Sequence, residues 1–337
     1  MPDRVTQRDV AQQAGVSTAT VSYVLSGRRD RKTPLPDETR RRVLDAVREL
    51  GYQRNHAARS LRRRRTELVA VVYRPPNNPW IEQLTAQLHD SAAARGYSVV
   101  ELPIGPDDRA EPALRVLREH YVDGALVMPD HCVPPAELPV LARRGLALVV
   151  FDDDAEPDGF DVVRQRKAEA CRAVVNHLVE RGHRRIAHLA HQHELEHPET
   201  SVRYASYRAV LAEHGLPFDE SLVVPGADFR TSAYSAATEL FARPDRPTAL
   251  FSATDRGALT AIWAARDLDL EVPGDVAIAS VGNTGEAEVL RPSLTTAGIP
   301  QLDFTTGIER LYARIDAGHL PGEELSLPWR LIVRQST

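Results

Sequence analysis

The chain has 337 residues, of which 42% are hydrophobic and 26% charged, as is typical of a soluble protein with more than one domain. No apolar run is long enough to span a membrane and the first residues are polar, so we expect a cytoplasmic protein rather than a membrane-bound or secreted one. The two cysteines, Cys132 and Cys171, lie far apart, which fits a reducing compartment and gives no metal motif.

Positive charge is concentrated at the N-terminus. Residues 1–65 contain 16 lysines and arginines against 7 aspartates and glutamates, whereas residues 66–337 contain 26 against 40. This split predicts an N-terminal segment that meets a polyanion and a body that does not.

Three short helices are predicted within the first 51 residues. Thr6 can cap the first helix together with Asp9, and Gly15 can end it in the left-handed conformation. Ser17 can cap the second helix, and a third is expected over residues 37–50. The apolar residues assigned to their shared core are Val10, Ala11, Ala14, Val21, Val24, Leu25, Val43, Leu44, Val47 and Leu50.

The second helix leaves small polar side chains outside this core, near its N-terminal end. Such a helix can enter the major groove of DNA, with small groups near phosphates and a few side chains at base edges. The same spacing would suit a solvated helical hairpin, and the basic excess favours DNA. The residues expected to contact DNA in this head are Thr6, Ser17, Thr18, Ala19, Thr20, Ser22 and Tyr23.

Beyond residue 65, short apolar runs alternate with amphipathic stretches. This alternation predicts parallel sheets covered by helices on both faces, in an α/β core of two doubly wound lobes. Helices are expected over residues 81–95, 169–181 and 258–267. The predicted strands are residues 68–73, 98–102, 124–128, 147–151, 185–190, 249–252 and 276–281.

The sequence resembles the LacI (lactose repressor) family of bacterial transcription regulators over nearly its whole length. The resemblance rests on VTQRDVAQQAGVSTATVSYVLSG (residues 5–27), ETRRRV (38–43), ELGY (49–52) and NHAARSL (55–61). It implies a helix-turn-helix domain (1–54), a hinge helix with a basic linker (55–65) and a periplasmic-binding-protein-like core (66–337). In that core the N-lobe would comprise about 66–164 and 299–323, and the C-lobe about 165–298 and 324–337, including a final strand near 329–333.

By the same resemblance, Asn55, Ala58 and Leu61 of the hinge would contact DNA, with Leu61 wedged into the minor groove beside its dimer mate. Seven residues are too few for a helix that is stable alone, so we expect the hinge to fold on DNA. Leu61 could also be a plain linker residue.

Ligands of doubly wound sheets bind beyond the carboxyl ends of the strands. By that rule, and by resemblance to the family's effector site, we expect Trp80 and Phe229 to stack on a ligand and Asp152 and Arg203 to hold its polar groups. Thr254 completes this set. Both aromatic residues could instead be packing residues.

Several positions depart from the family pattern. Tyr23 stands where the family often has a guanine-reading Arg, Arg54 replaces a usual Pro, and residues 28–36 form a longer, basic connection. In the cleft, Thr254 replaces Asn, and GNTGE (282–286) lacks the Asp with which sugar-binding members hold hydroxyl groups. A simple sugar is therefore doubtful: either the effector differs or the cleft is vestigial.

Five histidines lie between residues 183 and 197. His191, His193 and His197 could approach a metal ion from a loop, but nothing in the spacing fixes the geometry, and a loop flanking the cleft is favoured. We expect no metal site and no cofactor. Since no catalytic constellation stands out, we do not expect an enzyme.

The function expected from the sequence is transcription regulation, most simply as a repressor. A homodimer would bind a near-palindromic double-stranded DNA operator, and a small molecule in the cleft would modulate that binding. The chain ends without a heptad tail, so no tetramer is expected. The alternatives are an effector-independent regulator and a solute-binding protein.

Overall fold

The computed structural model describes residues 5–26, 35–52, 65–75, 79–105, 110–128 and 133–337, which belong to two units, Met1–Thr66 and Glu67–Thr337. The predicted hinge contacts Asn55, Ala58 and Leu61 lie outside the described residues, as does most of the basic connection 28–36. Within the described ranges, no helix is both long and apolar enough to cross a membrane.

The N-terminal unit contains three helices, α1 (Gln7–Ala14), α2 (Thr18–Ser26) and α3 (Asp37–Glu49). The predicted capping box at the start of α1 is confirmed: the Thr6 amide donates to the Asp9 carboxylate at 2.7 Å, and the Asp9 amide donates to Thr6 Oγ1 at 3.4 Å. Gly15 ends α1 in the left-handed conformation, with φ of 63°. The sequence rules for helix ends therefore hold in this unit.

One small apolar core joins the three helices. Val10, Val21 and Val43 are fully buried in it, and Val47 and Leu50 pack at its edge. The prediction that Leu44 belongs to this core is wrong, since its side chain is 40% exposed. The buried stripe of α3 passes instead through Val43 and Ala46, at the spacing of one helical turn.

The first lobe of the second unit is a six-stranded parallel sheet in the order β11-β5-β4-β3-β1-β2. Its strands are rich in Val and Leu because both faces of the central strands are covered by helices. Its elements are β1 (Leu68–Tyr73), α4 (Pro79–Arg95), β2 (Ser98–Pro103), α5 (Glu111–Arg118), β3 (Gly124–Val127), α6 (Leu138–Arg143), β4 (Ala147–Phe151), β5 (Asp161–Arg164), α13 (Thr305–Ala317) and β11 (Glu324–Ser326).

The second lobe has a six-stranded sheet in the order β12-β10-β9-β8-β6-β7, parallel except where β12 pairs antiparallel with β10. Its elements are α7 (Lys167–Glu180), β6 (Ile186–Ala190), α8 (Gln192–Glu196), α9 (Val202–Glu213), a 3₁₀ turn (Glu220–Leu222), β7 (Val223–Pro225), α10 (Arg230–Phe241), β8 (Ala249–Ser252), α11 (Asp255–Asp267), β9 (Ala277–Val281), α12 (Gly285–Val289), β10 (Thr295–Gly298) and β12 (Arg330–Ile332). The predicted fold class of two doubly wound lobes is confirmed.

The chain changes sheets after β5, after β10 and again after β11. The returning segment is fastened to the first lobe by Asp161, a carboxylate on β5 that is fully buried. It accepts hydrogen bonds from Arg310 Nε at 2.6 Å, from Arg314 Nη1 at 2.6 Å and from the Glu323 amide at 2.9 Å. One side chain therefore ties β5 to α13 and to the start of β11, although they are some 150 residues away in sequence.

We predict that Asp161→Asn lowers the free energy of unfolding of residues 67–337 by about 3–5 kcal/mol, because it leaves the Arg314 guanidinium, 3% exposed, without its counter-charge. Urea denaturation followed by tryptophan fluorescence measures this, since all three tryptophans lie in this unit. Asp158→Asn is the control: its ion pair with Arg143 joins two largely exposed side chains, and its loss should change stability by less than about 0.5 kcal/mol. Equal effects of the two substitutions would contradict the prediction.

Candidate ligand cleft and nucleic-acid interface

A cavity of about 250 Å³ lies between the two sheets of the second unit. Its walls come mainly from the loops and helix starts that follow the carboxyl ends of β1, β4, β5, β6, β7, β8 and β9, as expected for doubly wound sheets. The polar and aromatic residues that line it include Tyr73, Arg74, Trp80, Asp152, Gln165, Lys167, His191, His193, Glu194, Arg203, Asp228, Thr254, Asp255 and Trp329.

The structure places four of the five predicted effector contacts, Trp80, Asp152, Arg203 and Thr254, in this cavity wall. Trp80 is only 8% exposed and packs edge-on against Phe151 and Phe304, with ring centroids 5.7 and 4.7 Å away. It is therefore a packing residue that also borders the cavity.

Phe229, the fifth predicted contact, does not line the cavity, and its proposed stacking role is corrected. Its side chain is 58% exposed, and it precedes α10 in an extended conformation. Consecutive side chains of an extended segment point to opposite sides, and here the neighbouring Asp228 takes the inward position.

The carboxylates that follow β4 mostly fix the backbone around them. Asp152 Oδ1 accepts hydrogen bonds from the amides of Asp154 and Ala155 at 2.7 and 2.8 Å. Asp153 accepts from three consecutive amides, residues 165–167, at 2.6–2.9 Å, and so holds the first crossover between the lobes. Asp152 and Asp153 therefore stabilise the loop at the cleft edge through hydrogen bonds with backbone amides.

Thr254 and Asp255 play the same part on the other lobe. Thr254 Oγ1 accepts from the Gly257 amide at 3.0 Å, which caps α11, and donates to the Ala227 carbonyl at 3.0 Å. The Asp255 carboxylate, 2% exposed, accepts from Ser280 Oγ, Thr296 Oγ1 and the Thr284 amide, each at 2.6 Å. These bonds join β9, β10 and the loop that follows β9.

The Glu194 carboxylate is the central charge on the second lobe's side of the cavity. Glu194 is 5% exposed, and its Oε1 lies 3.4 Å from Arg203 Nη1. Its Oε2 accepts from the His191 amide at 3.2 Å and lies 3.6 Å from Nε2 of the fully buried His188. Arg203 is therefore held by a buried anion at the position from which it lines the cavity.

Burial alone would raise the pKa of the Glu194 carboxyl. The interaction with His188 and the charges of Arg203 and His191 outweigh burial and hold this pKa well below its ordinary value. Glu194 is therefore ionised throughout the neutral range.

A second pair, His191 and Asp228, lies beside the first. His191 Nδ1 and Asp228 Oδ1 are 2.7 Å apart, and the Gln192 amide donates to Asp228 Oδ2 at 2.9 Å. Burial by itself raises the pKa of the Asp228 carboxyl. The hydrogen bond and the charge of His191 lower this pKa by more than burial raises it, so the net shift is downward. This pair fixes the start of α8 against the loop that follows β7.

Gln165 is the side chain of the cavity wall that is best suited to a ligand. Gln165 is 1% exposed, and within the described part of the chain neither Nε2 nor Oε1 of its side-chain amide has a hydrogen-bond partner. Buried polar groups almost always have partners, so Gln165 stands out in the cavity wall as a side chain whose donor and acceptor are both unsatisfied among the described residues.

The sequence prediction missed Gln165, Glu194 and Asp228. Asp228 follows the apolar run of β7, so the rule of strand ends could have found it. Glu194 stands three residues after His191, a spacing typical of a capping box. No local signal marks Gln165, because its burial results from the crossover between the lobes.

In the N-terminal unit, α2 presents the face expected to meet DNA. Ser17 Oγ accepts from the Thr20 amide at 3.1 Å, which caps α2 as predicted. Ser17, Thr18 and Ala19 are exposed, whereas Thr20, Ser22 and Tyr23 are half-buried. Thr6, also exposed, is engaged in the cap of α1. The small exposed groups at the start of α2 leave its N-terminal turn open to a phosphate or a base edge.

We predict that Glu194→Gln lowers the free energy of unfolding at pH 7 by about 3 kcal/mol, because the Arg203 guanidinium stays in place without its counter-charge. A group whose pKa is lowered by folding contributes stability above its ordinary pKa and loses it on acidification. The difference in free energy of unfolding between the parent and the variant should therefore become smaller below about pH 4.5.

Urea denaturation of both proteins at several pH values measures this gap. Glu199→Gln, which removes a largely exposed carboxylate, is the control and should be nearly neutral at every pH. A gap that is absent at pH 7, or that widens on acidification, would contradict the assigned role of Glu194.

Comparisons with known proteins agree with this architecture. Residues 6–55 match the family described as bacterial regulatory proteins, lacI family, and residues 175–337 match the periplasmic binding protein-like domain. Among structures, the chain is similar to a CelR–cellobiose complex (28% identity, TM-score 0.62, 99% and 100% of the two chains). It also shares the fold of a lac repressor dimer bound to operator and the anti-inducer ONPF (23%, TM-score 0.75, 99% of each).

Curated relatives extend over the whole chain. The HTH-type transcriptional repressor PurR of Erwinia tasmaniensis is 31% identical over 98% of this chain and 96% of its own length. Catabolite control protein A of Priestia megaterium is 30% identical over 99% of both. The chain therefore belongs to the LacI family of bacterial regulatory proteins, and it is a DNA-binding transcription regulator.

Proposed function

We propose that this protein represses transcription as a homodimer on a near-palindromic operator, and that a small polar molecule in the inter-lobe cavity modulates its binding. The observation that carries the regulatory part is the cavity itself, which lies at the strand ends of both lobes. Its wall includes the side-chain amide of Gln165, which has no hydrogen-bond partner among the described residues. The family membership supports the DNA-binding part.

The operator would be read by α2 of each head. Two heads related by a twofold axis place two recognition helices in successive major grooves, which makes the site near-palindromic. The similar lac repressor structure is a dimer on its operator, which supports this assembly. Tyr23 cannot make the bidentate guanine contact of an arginine, so the half-site sequence should be one of its own.

The ligand would meet a mixed polar wall rather than a sugar-type site. Arg203 and Lys167 bring positive charge to the cavity, and Gln165 offers both a donor and an acceptor. The segment after β9 has no acceptor carboxylate at the expected position in its sequence. The nearby Asp255, the first residue of α11, is already bonded to the Thr284 amide and to the hydroxyls of Ser280 and Thr296. A compact molecule with its own acceptor and donor groups suits this wall better than a polyol.

Modulation would operate through the angle between the lobes. The ligand touches both lobes, so it favours the arrangement in which both sets of contacts are made. It can shift DNA affinity only by the difference between its affinities for the two arrangements.

An effector-independent regulator is the second candidate. The observation in its favour is that Asp152, Arg203 and Thr254 already have protein partners in the cavity wall. Under this alternative the cleft is a structural core and no metabolite changes DNA affinity.

We predict that selection from a random duplex pool by the full chain at moderate salt enriches one palindrome, with a pyrimidine–purine step at its centre where the DNA bends most easily. Tyr23→Ala should lower the affinity for that site by about tenfold and leave non-specific binding unchanged, because phosphate contacts dominate the latter. Leu44→Ala, which truncates an exposed side chain of α3, is the control. Uniform binding that collapses as salt rises would contradict a sequence-specific head.

We predict that at least one polar metabolite raises the thermal midpoint of the protein, and that Gln165→Leu weakens its binding by about tenfold, the cost of one lost hydrogen bond to a buried amide. Gln301→Leu, at an exposed position outside the cavity wall, should bind as the parent does. Failure of every metabolite to shift the midpoint would favour the effector-independent candidate. An unchanged affinity of Gln165→Leu for the metabolite would contradict a contact between the ligand and Gln165.

A further inference from the structure

We infer that His193, Glu196 and His197 form a binding site for one divalent transition-metal ion, of the zinc type, at the solvent edge of the cleft. All three residues are exposed, and His193 also lines the cavity. The expectation of no metal site is revised by this inference, and the histidine set differs from the one considered in the sequence, since Glu196 takes the place of His191.

The geometry needs little change to take an ion. His193 and Glu196 stand at positions i and i+3 of α8, on one face of its turn. His197, the residue that ends α8, is held beside them because its amide donates to the His193 carbonyl at 2.9 Å. Each offers one ligand atom, and these atoms lie within 4.8 Å of one another. Ligand atoms about 2.1 Å from a tetrahedral ion are roughly 3.4 Å apart, so side-chain rotations suffice to close the site.

The chemistry of the set selects the class of ion. Two imidazoles and one carboxylate are typical ligands of Zn²⁺, Co²⁺ and Ni²⁺, whereas Mg²⁺ and Ca²⁺ require mainly oxygen ligands. Glu199 Oε1 lies 3.7 Å from His197 Nδ1 and can orient that ring through its second nitrogen.

Contacts on the buried face of α8 fix the position of its exposed face, which carries the proposed metal ligands. Glu194 is buried against His188 and Arg203, while the Gln192 amide and the His191 ring are bonded to Asp228. The backbone that carries His193 and Glu196 is therefore fixed before an ion arrives, which reduces the entropy lost on binding.

The letters HELEH (193–197) also fit the pattern H-E-x-x-H, in which two histidines bind zinc and the first glutamate is a general base. Here the Glu194 carboxylate lies on the buried side and is paired with Arg203. It does not face the ion as a base would. The structure therefore assigns metal binding, and not hydrolysis, to this segment.

Three protein ligands leave one position of a tetrahedral ion to water or to a donor atom of a molecule in the cleft. Since His193 belongs to the cavity wall, an ion here would add positive charge at the edge of the cleft. This last consequence rests on the proposed effector cleft, whereas the metal site itself does not.

The test uses the full chain, purified without a polyhistidine tag and treated with EDTA. Zn²⁺ is titrated against a chromophoric chelator, and Co²⁺ binding is followed by visible absorption. We expect one equivalent of each ion to bind. His193→Gln and His197→Gln should each weaken binding at least tenfold, and Glu196→Gln should weaken it less.

His319→Gln, which removes an exposed histidine elsewhere in the chain, is the matched control and should bind as the parent does. Unchanged thermal unfolding of the metal-free variants shows that each is folded. The inference is overturned if no stoichiometric binding occurs, or if the double variant of His193 and His197 binds as tightly as the parent. DNA is not part of the titration, so its outcome is independent of operator binding.

Discussion

The second lobe's side of the cleft depends on one buried charge, the carboxylate of Glu194. Removing an ionised carboxylate from water costs several kcal/mol, and only close cations and hydrogen-bond donors offset that cost. The cation beside Glu194 is Arg203 of α9, at 3.4 Å, and a donor is the His191 amide, at 3.2 Å. The contacts of the Glu194 carboxylate therefore fix the position of α8 and hold the Arg203 guanidinium in the cavity wall.

A wider constraint acts on the whole core. Parallel strands end at the same edge of a sheet, so their polar loop residues gather there whether or not a ligand is bound. The loops need internal hydrogen bonds, and Asp153 and Asp255 supply them by accepting from backbone amides. The side chains of Asp153 and Asp255 at these strand ends therefore stabilise the loops. The side chain of Gln165 differs from them because it makes no hydrogen bond with any described residue.

Features that depend on neighbours in sequence were predicted correctly, whereas features that depend on contacts between distant residues were missed. The cap of α1 and the apolar central strands depend on neighbours in sequence, and they were predicted with nearly correct bounds. Strand β5 was missed because it begins with Asp161, a charge whose burial depends on Arg310 and Arg314, 149 and 153 residues later. The inward turn of Asp228 instead of Phe229 likewise depends on His191, 37 residues away.

Helix α8 shows how one short element serves two faces. Five residues cannot hold a helix in water by themselves, so its shape is maintained by the buried contacts of Glu194 and by the pairing of His191 with Asp228. The exposed set of His193, Glu196 and His197 is aligned only while those contacts hold. By linkage, an ion that binds the aligned set stabilises the buried contacts in return. Metal affinity and the order of the cleft wall are therefore two measures of a single equilibrium.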